Sequence, residues 1–461
     1  MKKVFLGILI VLILLTAGFY FILYPKLEIV SGYNAKIMCS CLFVSEMDRE
    51  EIEETDLGFG PLWLAENIVD EERKTVQTSV FGFHPKLAVY REGLGCTLVH
   101  DADAAAVRSM TLDKSSVDYG PEIWPDYRVE PLGRLRESIE AGFDPPGTKL
   151  LNTRAILVVK SGKIIGEKYA EGFDRHSELA GWSMMKSVNA AIAGLLVKDG
   201  ILALDAPAPI DTWEDDGRNG ITLRHLLNMS SGLDWNEDYT TVSTATVMLY
   251  GTDDMGAYAS TALSTYPPGE KWYYSSGTSN IISRITADAF PDKEEYRRYA
   301  YDRLFGPLGM RNFTVETDAS GTFVGSSYGY GSARDWAKFA LLFARKGNWM
   351  GTQILDSAWT EFSVSPAPAS KGKYGGQFWL NADERFKHYG KDSYWLGGFQ
   401  GKQVSVHPAD DLIIVRIGVT YDTDHIEFDE LIKNIREAAA HVKIMPEKSD
   451  EKAEEAERED A

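Results

Sequence analysis

The chain has 461 residues, a length that allows two or three structural units and a large core. Hydrophobic residues make up 44% and charged residues 25%, which is typical of a folded globular protein rather than a disordered or fibrous one. The formal net charge of -20 repels phosphate backbones and anionic headgroups, so nucleic acid is excluded as an expected partner.

The N-terminus carries a long apolar run. Residues 4–24 contain only apolar or weakly polar side chains, and at a rise of about 1.5 Å per residue they span roughly 31 Å, the thickness of a hydrocarbon core. The run ends without a small-x-small cleavage site, which favours an uncleaved anchor over a signal peptide. Because Lys2 and Lys3 favour a cytoplasmic N-terminus, we predict a transmembrane anchor over residues 1–26 and a periplasmic or extracellular location for the rest.

The three cysteines are too few for a disulfide scaffold or a four-ligand zinc set. Outside the cytoplasm Cys96 can form a disulfide with Cys39 or with Cys41, and this cross-link would stabilise the fold by about 3 to 4 kcal/mol. Free buried thiols are the alternative. No H-E-x-x-H motif occurs, and neither H-x-E match (176–178 and 425–427) has a following C-x-x-C. We therefore expect no metal centre.

Two other segments have a distinct composition. Residues 27–130 mix short apolar stretches with turn residues and carry no catalytic motif, so we predict an accessory N-terminal region. Residues 446–461 hold eight acidic and three basic residues with little that is apolar, which predicts a disordered, solvated tail. The main domain then covers residues 131–445.

Strand patterns flank a helical middle in this main domain. The β-prone runs 154–159 and 164–170 meet at Ser161-Gly162, and a second pair, 403–406 and 412–419, follows near the C-terminus. Apolar residues at helical spacing then predict a closing helix from Phe428 to Val442. Further helices are predicted over 187–198, 223–229, 294–304 and 332–346. This order predicts an α+β fold in which N- and C-terminal strands share one antiparallel sheet around an inserted helical region.

An S-x-x-K motif marks the candidate nucleophile. Ser183 and Lys186 are three residues apart at the start of a predicted buried helix, so their side chains share one face. A desolvated lysine can help to take the proton of a serine. The matches at Ser370 and Ser449 lie in polar segments. Ser327, in a G-x-S-x-G motif, lacks the strand and helix of a nucleophile elbow.

Four ordered segments resemble the serine β-lactamase and penicillin-binding-protein superfamily, in its class C and 6-aminohexanoate-dimer hydrolase branch. They are Gly181–Ser187, Ile221–Leu233, Pro268–Ser276 and Leu304–Met310. The resemblance covers about 151 to 440 and implies a cofactor-free hydrolase with a β-lactamase-like fold. Residues 32–98 look like the N-terminal extension of some membrane-anchored members.

The resemblance assigns roles to three residues. Ser183 matches the acylated nucleophile, Lys186 its lysine partner and Tyr274 the tyrosine general base, whose phenolate a neighbouring cation would favour. Two positions depart from the family pattern. Ser276 replaces an asparagine amide, and Phe399 stands where the family places a K-T-G or H-x-G motif, so a cation is missing there.

The remaining candidates are substrate-binding residues. The resemblance places the oxyanion hole at the backbone N-H groups of Ser183 and of Gln400 or Gly401. Trp235 and Tyr239 lie where related hydrolases have pocket residues, although a capped loop packing on its own tryptophan explains them equally well. Residues 374–379 are candidates for a pocket wall or for ordinary core.

These features predict a serine hydrolase that cleaves a small-molecule amide or ester through an acyl-enzyme on Ser183. The alternative is a non-catalytic receptor or scaffold of the same fold that binds a cell-wall-derived or peptide ligand. Because Phe399 supplies no positive charge, neutral short-chain esters or linear amides are expected to react better than penicillins or cephalosporins.

Overall fold

The N-terminus forms one continuous helix in the computed structural model, which describes residues 2–444; the predicted acidic tail lies outside these residues. Helix α1 (Lys2–Gly18), a π-helical segment (Phe19–Leu23) and helix α2 (Tyr24–Phe43) follow one another without a break. The apolar side chains of residues 4–15 are exposed, whereas α2 is buried from Val30 onward. The exposed part has the length and composition of a membrane span or a signal sequence.

Helix α2 packs on a small antiparallel sheet. The elements of this region are α3 (Arg49–Glu54), β1 (Ala65–Asp70), β2 (Thr75–Val80), β3 (Phe83–Arg91), β4 (Gly95–Val99) and α4 (Ala104–Ser109); α5 (Gly133–Glu140) follows them and packs in the main domain. The four strands pair in sequence order. A disulfide joins Cys39 on α2 to Cys96 on β4, and Cys41 is a buried free thiol. The disulfide and the apolar helix together indicate an extracytoplasmic location.

Buried polar contacts tie α2 and its neighbours to the rest of the molecule. Glu316 accepts hydrogen bonds from Ser40 (2.9 Å) and from the Cys96 backbone (2.6 Å), and it pairs with the Lys36 ammonium. These partners compensate a carboxylate that is removed from water. Residues on both sides of position 130 share one hydrophobic core. The assignment of 27–130 as an accessory region stays a prediction.

The main domain contains one large sheet, smaller sheets and many helices. Its elements are β5 (Thr153–Lys160), β6 (Lys163–Tyr169), β7 (Leu179–Ala180), α6 (Met185–Lys198), α7 (Leu223–Leu227), α8 (Thr244–Gly251), α9 (Met255–Ser260), α10 (Ser276–Asp288), α11 (Lys293–Ala300), β8 (Phe313–Val315), β9 (Gly329–Gly331), α12 (Ala333–Ala344), β10 (Asn348–Trp349), β11 (Thr352–Gln353), α13 (Ser357–Ser363), β12 (Trp379–Leu380), β13 (Tyr394–Gly398), β14 (Lys402–His407), β15 (Leu412–Gly418) and α14 (Phe428–Ala440). The six-stranded sheet has the order β12-β13-β14-β15-β5-β6 and is antiparallel throughout.

Both faces of the six-stranded sheet are covered. On β5, Leu157 and Val159 face the main core, whereas Ile156 and Val158 face a second core beneath α5 and α14. This alternation places helices on each side of the strands. The predicted α+β fold is therefore confirmed, with the N-terminal strand β5 beside the C-terminal strand β15. The helix expected over 294–304 is shorter, because it passes into a π-helical segment at Tyr301–Phe305.

Candidate functional site

Ser183 lies on a short 3-10 turn (Trp182–Met184) that leads directly into α6. The turn is held in an uncommon conformation, since Trp182 has a φ of +50°. The last residue of β13 lies against the same segment, because a Cβ on Gly398 would come within 2.2 Å of the Gly181 carbonyl oxygen. The half-buried Ser183 is thus held between the start of α6 and one end of the main sheet.

Lys186 lies one turn after Ser183 and is fully buried. Its ammonium donates to the Ser183 hydroxyl at 3.0 Å, to the Ser276 hydroxyl at 3.0 Å and to the Ser326 carbonyl oxygen at 2.9 Å. Burial lowers the pKa of Lys186 to about 8, and the Glu237 carboxylate acts in the opposite direction. Near neutral pH a fraction of this amine is therefore neutral and able to accept a proton.

Tyr274 completes the predicted set, although its charge differs from the expectation. The Lys186 ammonium lies 4.8 Å from the centroid of the Tyr274 ring, which stacks on Trp379 at 5.2 Å. Burial and the charge of Glu237 nevertheless raise the pKa of Tyr274, while the nearby Ser183 hydroxyl acts in the opposite direction. The expectation that the phenolate is favoured is thus wrong for the resting site, because removal from water outweighs the lysine.

Glu237 is a site residue that the sequence analysis missed. Its carboxylate accepts hydrogen bonds from the Ser276 backbone (2.8 Å) and hydroxyl, the Tyr239 hydroxyl (2.8 Å) and the Trp235 indole (2.6 Å). Trp235, Glu237 and Tyr239 are every second residue of one loop. This spacing is the sequence signal that could have indicated Glu237 as a site residue. Ser276, which replaces the family's asparagine, connects Lys186 to Glu237.

A large cavity opens beside the Ser183 hydroxyl, with a volume of about 1400 Å³. Its lining includes Tyr239, Tyr274 and Trp379. Trp235 does not line it, because its ring packs on Gly277 and reaches the site only through Glu237. Tyr374 is buried behind Tyr274, with the two ring centroids 5.8 Å apart.

The segment in place of the family's K-T-G motif is apolar at its first position. Phe399 contacts Trp182 at 5.8 Å and Tyr239 at 6.3 Å between ring centroids. Gln400 adopts a φ of +61°, and its side-chain nitrogen is buried without a partner among residues 2–444. Gly401 also lines the cavity, and Arg416 donates to the carbonyl oxygens of both Gln400 (3.4 Å) and Gly401 (2.8 Å). Gln400 and Gly401 both remain candidates for the second oxyanion donor.

Lys402 lines the cavity but supplies little fixed charge. Its ammonium lies 3.3 Å from the Gln400 side-chain oxygen and 3.4 Å from the Phe399 carbonyl oxygen. Burial lowers the pKa of Lys402 to about 7, with Arg154 acting in the same direction and Asp56 in the opposite one. Near neutral pH part of this amine is therefore uncharged.

The other serine motifs have different surroundings. Ser327 lines the cavity, but its hydroxyl bonds to that of Ser326 at 2.8 Å, and strand β9 follows it rather than a helix. Ser370 is buried, with its hydroxyl donated to the backbone carbonyls of Ala367 and Tyr374. Ser449 lies outside the described residues.

Comparisons with known proteins find similar sequences and similar folds. A family model described as Beta-lactamase matches residues 152–435. The 6-aminohexanoate-dimer hydrolase of Paenarthrobacter ureafaciens is 22% identical over 309 residues, which cover 59% of this chain and 74% of that protein. The fold is similar to a candidate 6-aminohexanoate-dimer hydrolase from Bacillus anthracis (TM-score 0.59, 18% identity, 71% of this chain and 91% of that one). It is also similar to a penicillin-binding-protein homologue from Caulobacter crescentus (TM-score 0.52, 16% identity, 70% and 99%).

The family match spans more than half of the chain and contains Ser183, Lys186 and Tyr274. The two structural likenesses, each below 25% identity, extend the same β-lactamase-like fold over about seven tenths of the chain. The chain belongs to the beta-lactamase family, within the serine β-lactamase and penicillin-binding-protein superfamily.

Proposed function

We propose that the protein is a serine hydrolase that cleaves a small-molecule ester or amide through an acyl-enzyme on Ser183. The observation that carries this proposal is the position of the Lys186 amine, 3.0 Å from the Ser183 hydroxyl and with a pKa lowered to about 8. A binding protein has no need of a serine paired with a desolvated lysine, and this pairing supports the enzyme over the receptor.

The proposed reaction has two halves. The neutral Lys186 amine takes the Ser183 proton as the serine oxygen attacks the carbonyl carbon, and the backbone N-H groups of Ser183 and of Gln400 or Gly401 bind the resulting oxyanion. The neutral Tyr274 hydroxyl passes its proton to the leaving alcohol or amine and then takes the proton that Lys186 received from Ser183, so both groups are neutral again. Water then attacks the acyl-serine with Lys186 as base, which releases the acid and restores the serine.

The same site supports neutral substrates. The position that faces a substrate carboxylate in the family holds Phe399, and Lys402 beside it is only partly charged at neutral pH. Glu237 adds a carboxylate next to the catalytic set. A substrate anion would therefore meet repulsion with little compensating charge.

We also propose that the N-terminal helix stays attached as an anchor. Phe19 and Tyr24 lie at the end of the apolar segment and contact Phe83 of the β2-β3 hairpin, with ring centroids 6.0 and 5.9 Å apart. Removal of the apolar segment would end these contacts. The large domain would then lie outside the cytoplasm, in agreement with the Cys39–Cys96 disulfide.

A fluorophosphonate probe tests the nucleophile. The probe phosphonylates an activated serine, so wild-type protein should be labelled and Ser183→Ala should not. Ser327→Ala is the matched control, because Ser327 is another cavity serine, and it should be labelled. Labelling of Ser183→Ala would move the nucleophile elsewhere. Absence of labelling in correctly folded wild type would favour the receptor.

A further inference from the structure

We infer that the substrate is a neutral, lipid-like ester or amide whose alkyl chain enters the Ser183 cavity directly from the membrane. This inference rests on the proposed hydrolase function and on the proposed anchor. The observation behind it is that the first turns of α2, which directly follow the apolar segment, form part of the cavity wall.

The cavity extends to the first turns of α2. Lys26, Ile29, Val30 and Tyr33 all line it, and their spacing of three, four and seven residues places them on one face of the helix. Lys26 follows the apolar run 4–24 by two residues, and Tyr33 lies about 10 Å further along the axis. The cavity therefore begins within two helical turns of the predicted membrane boundary.

Tyr33 links this face to the catalytic serine. Its ring stacks on Trp182, the residue before Ser183, with centroids 6.1 Å apart, and it also contacts Phe59 at 5.7 Å. Phe59 in turn contacts Phe399 at 6.2 Å. An apolar surface thus runs from the emerging helix to the nucleophile, which suits an alkyl chain.

A second element lies at the level of the membrane boundary. Phe81, at the β2-β3 turn, is 73% exposed, and Phe83 beside it is 43% exposed while contacting Phe19 and Tyr24. Exposed apolar side chains next to the end of an apolar helix form a surface that a membrane can cover. This turn therefore contacts the helix just before Lys26, the first residue of α2 that lines the cavity.

The domain has little freedom to move away from that surface. The helix runs from Lys2 to Phe43 without a linker, and its second half is buried in the domain. Glu28 pairs with Lys86 on β3 at 2.6 Å, just above the predicted boundary. A rigid helix fixes the distance between bilayer and cavity, whereas a flexible linker would not.

The charges limit the kind of amphiphile. Four acidic residues line another part of the cavity: Asp424, Glu427, Asp429 and Glu430. The chain as a whole carries a net charge of -20. An anionic headgroup would be repelled by them, so the acidic lining excludes an anionic lipid and is compatible with a neutral one. Its scissile carbonyl would lie at Ser183 with the alkyl chain along Tyr33 and Ile29.

The experiment uses full-length protein in phosphatidylcholine vesicles with 4-methylumbelliferyl oleate as the substrate. The oleate ester is placed either in the same vesicles as the protein or in separate, protein-free vesicles. Direct entry from the bilayer predicts at least tenfold faster hydrolysis when protein and ester share a vesicle. In detergent solution, kcat/KM for p-nitrophenyl esters should rise about three- to fourfold per added methylene until the cavity is filled.

Two variants test the apolar surface that runs from α2 to Ser183. Ile29→Glu places a charge on the cavity face of α2 and should lower hydrolysis of the oleate ester at least tenfold, with a smaller effect on the acetate ester. Ile68→Glu is the matched control, because Ile68 is 59% exposed on β1 and outside the cavity, and it should hydrolyse oleate like wild type.

The outcomes separate this inference from the proposed function. Equal rates from shared and separate vesicles, or equal effects of the two variants, would overturn membrane entry while the soluble acetate ester is still cleaved. If wild type neither cleaves the acetate ester nor reacts with the fluorophosphonate probe, the hydrolase proposal fails and this inference fails with it.

Discussion

At the scale of residues, the site couples a buried amine to a carboxylate through one hydroxyl. Ser276 receives a hydrogen bond from Lys186 and donates one to Glu237, so removing the Glu237 charge changes the electrostatic environment of the amine. Tyr274 and Ser183 complete the surroundings of Lys186. The proton affinity of Lys186 is thus a balance between burial, which lowers it, and Glu237, which raises it.

This balance predicts a shift in the pH profile of Glu237→Gln. If the neutral amine is the active form, kcat/KM for p-nitrophenyl acetate in wild type rises with pH through a midpoint near 8, the lowered pKa of Lys186. Glu237 raises this pKa, so its neutralisation should move the midpoint to lower pH, on the order of half a unit. The measurement is the pH dependence of kcat/KM, corrected for spontaneous hydrolysis.

Two further variants serve as controls for this profile. Asp234→Asn removes an exposed carboxylate from the same loop and should leave the midpoint in place. Lys402→Met removes the buried amine of a lysine that lines the cavity, with a pKa of about 7, and should also retain a midpoint near 8. A midpoint that rises in Glu237→Gln, or that vanishes in Lys402→Met, would contradict the assignment of Lys186 as the titrating base.

Sequence spacing predicted part of this site and missed the rest. The proximity of Ser183 and Lys186 follows from one helical turn, which three-residue spacing specifies. The position of Tyr274 followed from a resemblance, but its charge depended on burial that no motif reports. Two of the side chains that bond to Glu237, Trp235 and Tyr239, come from its own loop, whereas its contact with Ser276, 39 residues away, depends on tertiary structure.

At the scale of elements, α2 shows why the N-terminal region was difficult to predict. The helix buries Ser31, Asn34 and Lys36 as well as apolar residues, so its sequence lacks the one-sided apolar pattern that indicates a surface helix. The hairpin of β5 and β6 carried the clear signals of β-branched residues and a Ser161-Gly162 turn. The buried charge of Lys36 on α2 is compensated by Glu316, which lies 280 residues away in sequence.

The disulfide between α2 and β4 leads to a stability prediction. It closes a sequence separation of 57 residues, for which chain entropy alone gives about 4 kcal/mol of stabilisation. The Cys39→Ser/Cys96→Ser variant should therefore unfold at a lower urea concentration, with a loss of about 3 to 4 kcal/mol. The measurement is tryptophan fluorescence of the full chain in detergent against urea concentration.

Cys41→Ser is the matched control for the disulfide. Cys41 lies two residues from Cys39 on the same helix and is also buried, but it forms no bond. The change from thiol to hydroxyl should cost about 1 kcal/mol or less. If the single variant destabilises as much as the double variant, the loss would come from the polarity of the core and not from the cross-link.

At the scale of the whole molecule, the chain has a net negative charge, and acidic side chains also lie close to the site. The net charge of -20 is accompanied by acidic side chains along the cavity and by Glu237 beside the nucleophile. A cavity with apolar walls focuses such a field, so the approach of an anion is slowed and that of a neutral ester is not. Lys26 and Lys402 are the cavity lysines among residues 2–444, and Lys402 is only partly charged at neutral pH.

This field predicts discrimination between two matched esters, p-nitrophenyl butyrate and mono-p-nitrophenyl succinate, which differ by one carboxylate on an acyl chain of equal length. The neutral butyrate should have a kcat/KM at least tenfold higher, and the difference should narrow as salt is raised from 10 to 500 mM because the repulsion is screened. A cephalosporin, which carries a carboxylate near its reactive carbonyl, should react more slowly than the butyrate. If the succinate or the cephalosporin reacts faster, and Lys402→Ala abolishes that advantage, then Lys402 replaces the cation missing at Phe399. The cavity would then bind anions after all.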